Sequence, residues 1–129
     1  MEQNIPEIEL FEIDTTDDFD KTVRRFIKKK KFVSLPNLLE ELAVDIRAGV
    51  FGDDVWFHEN SPIPYDVYKK RLPNPDNNAG KSNGFRVIYA VMSEQKFVLF
   101  ATVYYKKEVT SVKEDYIRAL IEGFLLNSE

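Results

Sequence analysis

Arg86 is the residue whose position most restricts what this chain can do. It is the second residue of an apolar segment, 85–92, that follows the turn-forming residues Lys81-Ser82-Asn83-Gly84. Continuous apolar segments of this length are typical of strands buried on both faces. An unpaired guanidinium is very costly in such a place. Arg86 therefore lies at the rim of a sheet, pairs with a carboxylate, or faces an anion such as phosphate.

Three consecutive cations, Lys69, Lys70 and Arg71, precede that turn. Successive side chains of a strand point to opposite faces of the sheet, so Lys69 and Arg71 share one face and Lys70 points to the other. The pair at 69 and 71 lines a functional groove or forms a solvated edge. Arg86 has a comparable structural alternative, a salt bridge to Glu108 or to a loop carboxylate.

The charge is distributed in blocks although the formal net charge is only −4. Residues 1–20 hold eight acidic and no basic groups, residues 21–31 seven basic and no acidic groups, and residues 69–107 eight basic and two acidic groups. Binding to nucleic acid depends on the local patch more than on the total charge. The lysines at 28–31 predict a solvated helix end, where cations suit the helix dipole, or an RNA contact.

The bulk composition predicts one α+β domain over residues 1–129. The chain has no cysteine, which excludes disulfides and thiolate metal sites. No segment is long and apolar enough to span a bilayer as a helix, and the acidic start is unlike a signal peptide. We expect a cytoplasmic protein with no membrane partner and neither a metal nor a small-molecule cofactor.

Periodicity predicts the order β-α-α-β-β-β-α. A weak, acidic strand at 8–13 is predicted to lie at an edge of the sheet, and residues 14–17 carry the N-cap signal of a first helix. A second helix begins near Ser34 and stops near Gly49. Residues 50–65 are predicted to be a loop in which Trp56 and Phe57 cover the core. The remaining segments are a strand at 65–72, a long connection and a hairpin of strands 85–92 and 97–105. A last helix follows, with an apolar stripe at 112, 116, 120 and 124 and with Ile117, Ile121 and Leu125 beside it. The predicted fold is an antiparallel twisted sheet of about four strands, an N-terminal helical hairpin and a C-terminal helix.

The predicted order of elements, three segments of the sequence and the final helix that follows them resemble the RelE/ParE toxin superfamily, in particular its RelE/HigB-like members. FDKTVRRFIKKKKFVSLPNLLEELAVDI at 19–46 resembles the basic helical hairpin of that family. YDVYKKRLPNPDNNAGKSNGFRVIYAV at 65–91 is similar to its cationic strand followed by a Lys-Ser-Gly-Gly-Phe-Arg-Val-Ile-Tyr core, and FVLFATVYYKKE at 97–108 resembles its central strand. The resemblance covers about residues 5–125.

The resemblance implies the toxin of a type II toxin-antitoxin system. Such proteins cleave mRNA on the ribosome by attack of a 2′-hydroxyl on the adjacent phosphate, without a metal, and a small antitoxin protein holds them in check. The catalytic residues it implies are Arg86, Lys69, Arg71 and Lys107, with Tyr105 or His58 as the acid-base group. The implied RNA-binding residues are Lys81, Lys106, Lys28 and Lys29.

A non-catalytic binding module on the same fold is the alternative. Lys107 stands where RelE has an arginine, which is the better bidentate partner for phosphate. The catalytic tyrosine of RelE near the C-terminus has no clear counterpart in this chain. Such a module would resemble the ParE branch, which inhibits DNA gyrase by contact, or a degenerate toxin that only pairs with its antitoxin.

Overall fold

The computed structural model of the chain describes residues 10–52 and 54–127. It is an α+β structure of three α-helices and a five-stranded sheet. The elements in chain order are β1 (Glu12–Thr15), α1 (Asp17–Lys28), α2 (Leu35–Arg47), β2 (Val55–Glu59), β3 (Tyr65–Leu72), a short 3-10 turn (Pro75–Asn77), β4 (Phe85–Met92), β5 (Phe97–Tyr105) and α3 (Glu114–Asn127).

The sheet is mixed, with the strand order β1-β5-β4-β3-β2. Strand β1 pairs in parallel with β5, and all other neighbours are antiparallel. The prediction of about four antiparallel strands was therefore wrong in number and in direction. Two parallel strands need a connection of about a dozen residues or more. Two helices and three strands separate β1 from β5 along the chain. The start of the predicted strand at 8–13, including Ile8, lies outside the described residues.

Strand β2 lies within the segment that was predicted to be a loop. A bulge between Val55 and Phe57 interrupts its pairing with β3. A bulge puts two residues opposite one and breaks the alternation of faces. Trp56 and Phe57 are consequently both half-buried, so the segment has no clean two-residue period. Both rings do pack against the core, as the sequence predicted.

The core covers both faces of the sheet. All eight residues of β4 are buried, which confirms the prediction of burial on both faces. Its odd-numbered residues, such as Phe85 and Val87, join Phe26 and Leu35 of α1 and α2. Its even-numbered residues, such as Ile88, join the residues of α3 on the other face. The two faces are called here the α1/α2 face and the α3 face.

Helix α3 packs on the sheet through Ile117 and Ile121, which were predicted to lie beside the apolar stripe, rather than through the stripe itself. Ile117 and Ile121 are fully buried, whereas Tyr116 is 45% exposed. Val112, Leu120 and Phe124 are only partly buried at the margin of the same cluster. The helix is apolar over a wide arc, so the periodicity alone did not show which of two adjacent rows faces the sheet.

The helix boundaries follow local chemistry that the sequence shows. Thr16 caps α1 by accepting a hydrogen bond from the amide of Phe19 at 3.0 Å, as the N-cap signal predicted. Gly49, just after α2, has a φ of +82°, a left-handed conformation that glycine adopts at little cost. Ser34 at the start of α2 donates through its amide and hydroxyl to Asp76, which ties the connection before β4 to that helix.

Within the described residues, no helix has both the length and the apolar character needed to cross a bilayer.

Candidate phosphate-binding site

The register of β3, β4 and β5 places the predicted cations on one face. Arg71 lies opposite Arg86, and Lys69 lies opposite Ile88. Ile88 belongs to the core cluster of α3, so Lys69, Arg71 and Arg86 are on the α3 face. Opposite Arg86 on the other side is Tyr104 of β5. The prediction that Lys69 and Arg71 share one face therefore holds, and Arg86 joins them.

The charges of this group act on one another. Burial lowers the pKa of Lys69, and the positive charges of Lys106, Arg86 and Arg71 lower it further. The carboxylate of Glu114, in the first turn of α3, is a smaller influence that raises the same pKa. We call Lys69, Arg71, Arg86 and Lys106 the cationic cluster. Its members repel one another in the free protein, so a bound anion would relieve that repulsion.

Arg86 is 4% exposed and is held by backbone carbonyls. Its Nη1 atom donates to the carbonyl oxygens of Lys81 at 2.8 Å and Phe85 at 3.1 Å, and Nη2 donates to that of Ser82 at 2.9 Å. The alternative of a salt bridge from Arg86 to Glu108 does not apply, because Glu108 pairs with Arg25 and Lys30 instead. Carbonyls satisfy the hydrogen bonds of the guanidinium without cancelling its charge. Burial, together with Arg71, lowers the pKa of Arg86.

A cleft adjoins the cationic cluster at the edge of the sheet. Strand β2 pairs with β3 only as far as Tyr68, and β3 continues to Leu72. The cleft beside this edge has a volume of about 520 Å³, and Trp56, Lys69, Arg71 and Lys81 are among its lining residues. The Nζ atom of Lys69 lies 4.0 Å from the centre of the Trp56 ring, a cation-π contact.

The two lysines after β5 differ in position. Lys106 is half-buried, its amide donates to the carbonyl of Gly84 at 2.9 Å, and its charge acts on Lys69. Lys107 is exposed in the following turn, and no contact within the described part of the chain joins it to the cluster. Lys81 is exposed at the rim of the cleft. The structure thus favours Lys106 over Lys107 as the member of the site.

Tyr105, predicted as an acid-base residue, lies on the α1/α2 face. It is 3% exposed and packs against Phe32 and Phe85, and its hydroxyl accepts a hydrogen bond from Nδ2 of Asn77. The sheet separates it from Arg86. Tyr104 is the tyrosine on the face of the cluster, where burial raises its pKa and the charge of Arg86 lowers it in part.

His58 lies near the opposite end of the sheet from Arg86. It pairs with Asp66 in the register, and five residues of strand, about 17 Å, separate Asp66 from Arg71. Its ring nitrogens contact Oδ1 of Asp66 at 2.7 Å and Oδ1 of Asn60 at 2.9 Å. The contact with Asp66 is the main cause that raises the pKa of His58. The structure therefore does not bring this residue to the cationic cluster.

Lys28 and Lys29 are exposed at the C-terminal end of α1, whose buried residues belong to the α1/α2 face. Neither forms an ion pair within the described residues, whereas the neighbouring Lys30 pairs with Glu108 at 3.2 Å. These two lysines therefore lie apart from the cationic cluster. Any role in binding RNA would be that of a separate surface contact.

Sequence reasoning did not assign Tyr104, Trp56 or Glu114 to the site. Alternation showed only that one of Tyr104 and Tyr105 faces each side, and the bulge in β2 hid the orientation of Trp56. Glu114 has no local signal, because its position depends on how α3 docks.

Within 10–52 and 54–127 no group of His, Asp and Glu residues is arranged to hold a metal ion. The chain matches no family model and no curated protein.

Proposed function

We propose that this chain is the toxin of a type II toxin-antitoxin system and cleaves mRNA on the ribosome, in the cytoplasm. One observation carries the proposal. Cations from β3, β4 and the end of β5 meet on one face of the sheet, and the pKa of Lys69 responds to Lys106, Arg86 and Arg71 together. Several positive charges in one place suit the charge that builds up on a phosphate during its cleavage.

In the proposed reaction the 2′-oxygen of a ribose attacks the adjacent phosphorus. The new O–P bond forms as the bond to the 5′-oxygen breaks, which leaves a 2′,3′-cyclic phosphate and a 5′-hydroxyl. Arg71 and Lys106 bind the non-bridging oxygens, which carry the added charge in the transition state. Arg86 keeps its buried charge behind them and holds the turn that carries Lys81.

Two residues are suited to move the protons. The lowered pKa of Lys69 gives it a larger neutral fraction than an ordinary lysine, so its amine can accept the 2′-hydroxyl proton. The raised pKa of Tyr104 keeps its hydroxyl protonated at neutral pH, so it can donate a proton to the departing 5′-oxygen. No metal ion or small-molecule cofactor enters this scheme.

The proposed partners are the translated message and a small antitoxin. An antitoxin that inhibits this site would cover the cationic cluster, and carboxylates would be the groups that compensate its charge. The α3 face near Glu114 is where such a segment would compete with RNA. A neighbouring reading frame for a small protein would support this part of the proposal.

A non-catalytic binding module is the second candidate, and a specific observation favours it. Three carbonyls already occupy the Nη groups of Arg86, and neither Lys107 nor Tyr105 joins the cluster. Such a module would resemble the gyrase-inhibiting ParE branch or a toxin that only binds its antitoxin. It would hold nucleic acid or protein at the same cations without cutting.

Primer extension on a message translated in a purified system distinguishes the two candidates. The enzyme predicts discrete cuts at the codon in the ribosomal A site when the wild-type protein is added. The binding module predicts an uncut message. The variant Lys69→Ala/Arg71→Ala should abolish the cuts while retaining the circular dichroism spectrum of the wild type. Cuts of unchanged intensity in that folded variant would refute the assignment of the site.

A further inference from the structure

Trp56 is a half-buried aromatic residue in a cleft whose other lining side chains are mostly charged. Phe57 fixes one side of it through an edge contact with ring centres 5.1 Å apart, and Lys69 lies over its ring. Lys70, Arg71 and Lys81 line the same cleft, whose volume is about 520 Å³. That volume is in the range of sites for small molecules. An aromatic ring among several cations is the combination that binds single-stranded nucleic acid, where bases stack and cations hold phosphates.

We propose that this cleft binds one nucleobase of single-stranded RNA by stacking on Trp56, with the base taking the place of the Lys69 ammonium over the ring. Lys69 belongs to both the cleft and the cationic cluster, so the stacked nucleotide lies next to the phosphate that the cluster binds. Lys81 and Arg71 take the phosphate on its other side. The position of this nucleotide relative to the cleaved bond rests on the proposed function, whereas the stacking itself does not.

Asp54 gives the cleft a preference among bases. Among the described residues that line the cleft it is the acidic one, and its carboxylate would repel a phosphate. A carboxylate only accepts hydrogen bonds, so it suits a base edge that donates them. Guanine presents two such groups side by side, N1–H and the N2 amino group. The cleft is therefore a guanine-preferring subsite.

Trp56 is the only tryptophan of the chain, so its fluorescence reports directly on the cleft. The probes are 2′-O-methyl trinucleotides with guanine, adenine, cytosine or uracil at the centre, which lack the attacking hydroxyl and cannot be cleaved. We expect saturable quenching with all four, and the tightest binding with guanine. Fluorescence anisotropy of the same trinucleotides, now carrying a fluorescent label, should show that they bind Trp56→Leu about 10-fold more weakly than the wild type, because the stacking of one base is lost.

Two variants keep the test decisive if Trp56→Leu folds poorly. Trp56→Phe keeps an aromatic ring and should bind within about threefold of the wild type. Phe124→Leu is the aromatic control, because Phe124 packs on Phe97 and does not line the cleft, and it should leave binding unchanged. Asp54→Asn should reduce the preference for guanine over adenine. Absent quenching, or wild-type affinity in a folded Trp56→Leu protein, would overturn the subsite. Equal affinity of the wild type for all four bases would overturn the guanine preference.

The outcomes separate this inference from the proposed function. Quenching of Trp56 by the uncleavable probes, in a protein that never cuts a translated message, would leave the subsite standing and remove the nuclease. Normal cleavage by Trp56→Leu, together with normal affinity for the trinucleotides, would remove the subsite and leave the nuclease standing.

Discussion

Lys69 and Trp56 are in direct contact, with the ammonium 4.0 Å from the ring centre. This contact joins the two halves of the proposed site, because Lys69 also feels the charges of Arg71, Arg86 and Lys106. Its lowered pKa reflects burial first and those charges second. An anion that binds the cluster should therefore stabilise the folded protein.

Sulfate should stabilise the fold specifically. A ligand that binds only the folded state at ten times its dissociation constant adds about 1.4 kcal/mol, which raises the melting temperature of a domain of this size by about 5 °C. Thermal unfolding in sodium sulfate, compared with sodium chloride at equal ionic strength, measures the effect. The increment should disappear in Lys69→Ala/Arg71→Ala. An equal increment in that variant would place sulfate binding elsewhere.

Replacement of Tyr104 and of Tyr105 by phenylalanine should have different effects, because the two side chains lie on opposite faces of the sheet. Tyr104→Phe removes the proposed proton donor and should slow cleavage of a translated message about 100-fold. Tyr105→Phe removes the acceptor of the Asn77 hydrogen bond and should cost about 1 kcal/mol of stability without slowing cleavage. Cleavage rates and urea unfolding of both variants provide the check. Slower cleavage by Tyr105→Phe and unchanged cleavage by Tyr104→Phe would indicate that Tyr105, and not Tyr104, acts in the site.

Gly84 should tolerate no side chain. A Cβ atom there would lie 2.1 Å from the carbonyl oxygen of Leu72 and 2.9 Å from Cα of Pro73, both parts of the backbone. Gly84→Ala should therefore destabilise the fold by about 3 kcal/mol. Gly80 is the matched control, since a Cβ atom there meets nothing within 4 Å, and Gly80→Ala should change stability little. Urea unfolding that finds the two variants equally stable would contradict the packing described here.

His58 should influence stability and leave cleavage unchanged. Its hydrogen bond to Asp66 raises the pKa of His58 above the usual 6.5. The resulting stabilisation is complete below the pKa of the unfolded chain and is lost as the pH rises through the higher folded pKa. NMR titration of this single histidine should give a pKa above 6.5 in the wild type and a lower one in Asp66→Asn. A loss of cleavage in a folded His58→Gln protein would contradict its exclusion from the site.

The sequence predicted those parts of the fold that depend on local patterns. The buried hairpin β4–β5, the cap at Thr16 and the stop at Gly49 each follow from residues close in the chain. Strand β2 was missed because its bulge removes the two-residue period. The parallel pairing of β1 with β5 joins segments more than 80 residues apart, and no local pattern encodes such a contact.

The sequence predicted which charged residues share the face of the candidate site, but not the groups that these residues contact. Alternation along β3 placed Lys69 and Arg71 together, because strand geometry alone determines the face. The guanidinium of Arg86 donates to carbonyls of a turn. Which carbonyls it reaches depends on how that turn folds, and the residue types do not show this. These contacts also make Arg86→Ala a poor test of the site. This change would remove the donor to the carbonyls of Lys81, Ser82 and Phe85, so the cations at 69, 71 and 106 are better targets.

The most direct test of the site compares two adjacent lysines in the cleavage of a translated message. Lys106 acts on Lys69 within the cationic cluster, and Lys107 lies outside it, so the two variants remove the same charge at neighbouring positions. Quantitative primer extension should show cleavage about 100-fold slower in Lys106→Ala and close to the wild-type rate in Lys107→Ala. Equal rates in the two variants, or a greater loss in Lys107→Ala, would contradict the proposal that the cations of the α3 face act together on the phosphate.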